Sequence, residues 1–170
     1  MKDYEATHNV SLPFFFHDGE STSRNNTNLF DAVMLDSRRI GHGFNLYYFP
    51  VLFPIIKEKN IAIEVNPISN NVLRYNSGSF AIHPVTSYMA SGLPVVISSD
   101  DGGVFGYTGL SNDFFASIVG FQLDLKQVKK LVFNSIEYSS LTKGEKERSA
   151  EILAKRWEDW GMKMLAAEAN

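Results

Sequence analysis

Four short extended runs, each followed by an amphipathic segment, most restrict the fold open to this chain of 170 residues. Leu12 to Phe16, Arg39 to Gly41, Ile61 to Val65 and Val95 to Ser98 are too short for helices, and three of them are rich in branched or aromatic side chains. After the first run Asn28 can cap a helix that carries Leu29, Phe30, Val33 and Met34 on one face. After the second, Pro50 stands near the start of a helix through Leu52, Ile55 and Ile56, which Lys57-Glu58-Lys59-Asn60 closes. After the third, Asn66 to Asn70 reads as a turn-rich loop before a short helix through Val72 and Leu73, and His83-Pro84 opens another helix to about Ser91. Strands that alternate with helices call for a parallel sheet, because parallel neighbours need a crossover between them.

Beyond Ser98 the pattern predicts helices. One runs from Asp113 to Gly120, and a second is capped by Asp124 with Leu125, Val128, Leu131 and Val132 on one side. A long helix from about Lys143 is expected to bury a stripe of Ile152, Leu153, Trp157, Trp160 and Met164. No repeat or linker divides the chain, so residues 1–170 read as one α/β domain of about four parallel strands with outer helices. A closed eightfold barrel of this class takes about 250 residues. Four strands leave two unpaired edges, so a continuation upstream is expected, and the chain alone is expected to be poorly soluble as a monomer.

A net charge of -3 with 16 scattered Lys and Arg leaves no basic footprint for nucleic acid. The absence of cysteine means that any metal must be held by imidazole and carboxylate. Neither a signal peptide after Met1 nor a run apolar enough to span a membrane is found, although Asn9-Val10-Ser11 and Asn25-Asn26-Thr27 match the glycosylation acceptor pattern of secreted proteins.

The polar clusters at the run ends are candidates for chemistry, since the C-terminal ends of parallel barrel strands share one rim. His17-Asp18-Gly19-Glu20 offers an imidazole and a carboxyl three residues apart around a glycine turn; the same His could equally be a hydrogen-bonded structural residue. His42 stands between Gly41 and Gly43, open to a ligand or simply in a turn. Asp100 and Asp101 would face opposite sides if both were extended, one towards a metal and the other towards a ligand; as an alternative they form a turn before Gly102-Gly103. His8 and His83 read as structural, and the loop through Gly106 lacks the Lys-Ser or Lys-Thr of a phosphate-binding loop.

In order and spacing these clusters resemble the adenosine deaminase family, whose strand ends read His-Ala-Gly-Glu, Arg-Ile-Gly-His-Gly and Ser-Asp-Asp-Pro. Glu64-Val65-Asn66-Pro67-Ile68-Ser69-Asn70 is similar to the family's Glu-Val-Cys-Pro-x-Ser-Asn, and Phe105 to Phe114 looks like the secreted, growth-factor-type branch. The resemblance implies the C-terminal half of a TIM-type (β/α)8 barrel and zinc-dependent hydrolytic deamination of adenosine, and of deoxyadenosine, to inosine. By resemblance His17 and Asp100 are zinc ligands, Glu20 is the proton shuttle to the purine ring, His42 orients and deprotonates the water, and Asp101 hydrogen-bonds the purine.

The chain departs from the family in three respects. The His-x-His pair that completes the family's zinc site is absent from this sequence, so the chain alone is expected to bind zinc poorly and to be inactive. Asp18 replaces Ala, which is expected to press a second carboxylate on Glu20, and Gly102 replaces Pro, which loosens the turn at Asp101. A reading of another class is a noncatalytic nucleoside-binding or growth-factor-like interaction protein, in which the half barrel pairs its edges with another chain such as a second copy.

Overall fold

The computed structural model describes residues 2–168. Four parallel strands, β1 Phe15–Asp18, β2 Arg39–His42, β3 Ala62–Val65 and β4 Val95–Ile97, lie side by side in sequence order. Helices α1 Lys2–His8, α2 Asn28–Met34, α3 Leu52–Glu58, α4 Pro67–Val72, α5 Val85–Ala90, α6 Ser111–Gly120, α7 Leu125–Glu137 and α8 Lys143–Glu168 complete the chain. Among the described residues no helix is long and apolar enough to cross a membrane.

Strand alternation gives the sheet two unlike faces. Ile40, Ile63, Val65, Val95 and Ile97 are buried on one face with Leu29, Val33, Leu52, Ile56, Val85 and Tyr88 of the surrounding helices, and this is the core. In register on the other face stand Phe15 with Arg39, and His17 with Gly41 and Glu64. That face also carries buried Ala62 and Val96, and its polar groups are tied by charge. Arg39 Nε lies 2.6 Å from Glu64 Oε2, its Nη1 donates to the Tyr138 carbonyl at 2.9 Å, and its guanidinium stacks 4.9 Å over the Phe15 ring.

The two edges differ. Pro94 O accepts from Ile63 N on the β3 side, so the alternate carbonyl, Val95 O, faces outward. Asn134 of α7 donates to it through Nδ2 at 2.7 Å, which satisfies part of that edge. Among the described residues β1 has no strand on its far side, and Phe15 is 38% exposed.

Several expectations are corrected. The first strand starts at Phe15 rather than Leu12, because Pro13 has no N–H to give a ladder, and it therefore takes in His17 and Asp18. Asn28 does not cap α2; Thr27 occupies that position, and Asn28 Oδ1 instead accepts from Gly19 N at 3.0 Å. The segment after β3 is not a loop but α4, started by Pro67 at the first helical position, where its fixed φ suits a helix. A 3-10 turn over Phe44–Tyr48 was not foreseen; the buried Tyr88 hydroxyl holds it, donating to Phe44 O at 2.9 Å and accepting from Tyr47 N at 3.0 Å. On α8 the stripe is not buried: Ile152, Trp160 and Met164 are 50%, 42% and 48% exposed. Leu153, Trp157 and Trp160 instead wall an apolar groove of about 380 Å³ with Ile118, Leu125 and Val128 of α6 and α7.

Candidate functional site

The strand ends meet at one rim. His17 at the end of β1 stands over Gly41 of β2, where a Cβ would come within 2.8 Å of His17 Nδ1, so glycine is what lets the ring lie there. His42 closes β2 at φ 65 and Asp100 follows β4 at φ 54, left-handed conformations that non-glycine residues adopt at a cost. Asp100 is therefore not extended, and the two aspartates do not simply alternate across the sheet. Gly19, at φ 70, makes the turn that brings Glu20 back towards the rim.

Four side chains converge. His17 Nε2 lies 2.9 Å from His42 Nε2, 3.9 Å from Glu20 Oε2 and 3.8 Å from Asp100 Oδ1. His42 Nε2 lies 3.6 Å from Glu20 Oε2 and 3.6 Å from Asp100 Oδ2. Donor atoms of His17, Glu20 and His42 fall within 4.8 Å of one another, and with Asp100 beside them the set has the imidazole and carboxylate chemistry that zinc takes. The residues thus fit a divalent metal.

Burial sets the charges. Desolvation lowers the His42 pKa to about 4 against the pull of Asp100 and with the help of His17, so the ring is neutral at pH 7. Desolvation raises Glu20, the nearby His17 lowers it, and Asp100 and Asp101 raise it again. Asp18 is not among the groups acting on Glu20. Its own carboxyl is raised first by burial and then by Asp31 of α2, because alternation turns it to the helical face; the expected pressure of Asp18 on Glu20 is corrected accordingly.

Asp101 is exposed, and its carbonyl accepts from Val104 N and Phe105 N at 2.8 and 3.1 Å in the following turn. Gly102 is buried there against the Tyr107 ring, whose hydroxyl donates to Asp113 Oδ2 at 2.9 Å. Sequence reasoning missed the supports. Ser69 Oγ donates to Asp100 Oδ2 at 2.7 Å, Asn70 contacts His42 Nδ1 at 2.9 Å, His83 Nε2 contacts Asn70 Oδ1 at 3.0 Å, and Tyr75 hydroxyl donates to Glu20 O at 3.4 Å. Ser69 and Asn70 carried a signal in the quoted segment. His83, next to Pro84, had the look of a helix start and nothing more.

The sequence profile of the adenosine deaminase family ("Adenosine deaminase") matches residues 1–156. "Adenosine deaminase 2" of Homo sapiens is 46% identical over 159 residues, which is 90% of this chain and 31% of that protein. The chain thus spans about a third of that relative's length. Among solved structures, an amidohydrolase from Burkholderia ambifaria with bound Zn aligns with TM-score 0.78 at 18% identity, over 95% of this chain and 44% of that one. An Arabidopsis protein crystallised with IMP aligns with TM-score 0.73 at 20% identity, over 90% of this chain and 43% of that one. At such identities the likeness is one of fold, and it matches four parallel strands with outer helices to part of a TIM-type barrel. The chain belongs to the adenosine deaminase family.

Proposed function

We propose that this chain carries the C-terminal half of the barrel of a zinc-dependent adenosine deaminase, and that residues 1–170 supply most of its reacting groups. The observation that carries the reading is the convergence of His17, Glu20, His42 and Asp100 from three strand ends onto one point. The net reaction replaces the C6 amine of adenosine by the oxygen of water and releases ammonia, giving inosine.

His17 and Asp100 would hold the zinc, Asp100 being steadied by the Ser69 hydroxyl. Zinc held there would supply a Lewis acid that makes water a nucleophile near neutral pH. Glu20, whose pKa is raised by burial, would take up a proton and deliver it to the purine ring. His42 would orient the water, and Asp101, exposed at the rim, would hydrogen-bond the purine. Purine binding is in keeping with the neighbour crystallised with IMP. A third protein ligand would come from outside the chain, across the open edge of β1. Asn9 and Asn25, both exposed, would be free to carry the sugars of a secreted product.

The test is a zinc titration by calorimetry with inosine formation followed in the same sample. It is run on this chain and on the chain fused behind the upstream two-thirds of the human relative. We expect weak zinc binding and no inosine from the chain alone. From the fusion we expect one zinc per molecule and turnover that Glu20→Gln lowers at least about a hundredfold. A fusion that binds zinc but turns over adenosine regardless of Glu20 would overturn the assignment.

A further inference from the structure

We propose that His83, acting through Asn70, fixes His42 of the metal-free chain as the tautomer protonated at Nε2, so that its ring presents a hydrogen-bond donor to the site. The inference rests on the deaminase reading only for its mechanistic meaning; the tautomer itself follows from the hydrogen bonds.

The backbone N–H of Val85 points at His83 Nδ1 at 3.1 Å, so that nitrogen must carry a lone pair. A neutral His83 then has its proton on Nε2, which needs an acceptor, and Asn70 Oδ1 is 3.0 Å away. This fixes the Asn70 amide: its oxygen faces His83 and its Nδ2 faces His42 Nδ1 at 2.9 Å. An NH₂ group can only donate, so His42 Nδ1 is the acceptor and the ring proton lies on Nε2. Asn70 is fully buried and His83 and His42 are 2% and 1% exposed, so water does not compete for these bonds. Burial also depresses the His83 pKa to about 3, in keeping with a neutral ring that accepts from a backbone N–H.

Two consequences follow at the rim. Although His42 Nε2 lies among the donor atoms at the rim, a nitrogen that carries a proton offers no lone pair, so His42 in this tautomer is not a metal ligand. The groups able to accept from His42 Nε2–H are His17 Nε2 at 2.9 Å, and Glu20 Oε2 and Asp100 Oδ2 at 3.6 Å, or an attacking oxygen placed among them. His83 and Asn70 are positioning residues; neither touches the reacting atoms.

The test reads tautomers directly, in the chain without metal or substrate, by ¹⁵N spectra of labelled histidine rings. The wild-type chain should show His42 and His83 both protonated at Nε2 and bare at Nδ1 at neutral pH. Asn70→Asp presents only acceptors, so it should move the His42 proton to Nδ1 while leaving His83 unchanged. His83→Gln, which can still donate to Asn70 Oδ1, should keep the wild-type His42 tautomer, whereas His83→Leu should lose the preference. A wild-type His42 protonated at Nδ1 or at both nitrogens overturns the proposal even if no variant folds, as does a His42 unmoved by Asn70→Asp. Because no turnover is measured, a chain that proves not to deaminate adenosine leaves this result standing.

Discussion

At the residue scale, the site depends on positions whose importance lies in what they leave out. Gly41 is one, since the His17 ring occupies the space that a Cβ would fill, 2.8 Å from Nδ1 and 3.2 Å from Cε1. Gly41→Ala should push the ring off the rim and weaken zinc binding at least about tenfold, or roughly 1.4 kcal/mol. Calorimetric titration of the variant fusion against the wild-type fusion checks this, and unchanged affinity would mean that His17 is not a ligand. His83 gives a prediction in pH. Its folded pKa of about 3 lies below the ordinary value of 6.5, so the unfolded chain takes up the proton first. The stability it contributes is complete above about pH 6.5 and declines as pH falls towards 3, by roughly 1.4 kcal/mol per unit. Urea midpoints measured from pH 7 to 5 should fall more steeply in the wild type than in His83→Gln. Equal slopes would show that His83 titrates normally.

At the element scale, the helices are held by different devices, and only some are written locally. Asp124 accepts from Gln127 N at 2.7 Å while Gln127 Oε1 accepts from Asp124 N at 2.9 Å, a capping box that starts α7. Asp124→Ala should cost about 1 kcal/mol, seen as a lower thermal midpoint. A larger loss would also implicate the Asn134 contact to β4 further along the same helix. The cap at Asp124 was legible because its partner sits three residues away in sequence. The role of Asn28 was not, since its oxygen turns back nine residues to Gly19, a contact that exists only once β1 and α2 have packed. α8 shows the opposite error. Its spacing of Trp157, Trp160 and Met164 marks an apolar face, but periodicity does not say whether anything lies against that face.

At the scale of the whole molecule, the sheet is asymmetric. Asn134 dresses the β4 edge, while among the described residues β1 stands as an edge strand with Phe15 exposed. An undressed edge is a template for another strand. The chain alone should therefore associate as its concentration rises, and Phe15→Lys should shift sedimentation towards the monomer. A sharp monomeric boundary for the wild type at all concentrations would show that the edge is protected.

The parallel βα arrangement was written in the order of residues, through runs too short for anything but strands, and His17, Glu20, His42, Asp100 and Asp101 stood out because polar groups at strand ends have no place in a core. The sequence also carried the family signature. It took the packed fold to bring four of these five side chains to one focus, to turn Asp18 away to α2, and to connect His83 to His42 through Asn70. The physical reason is that strand order and alternation are local properties of a chain. The tautomer of a buried ring, by contrast, is fixed by partners brought to it from 28 and 41 residues away, by Asn70 directly and by His83 behind it.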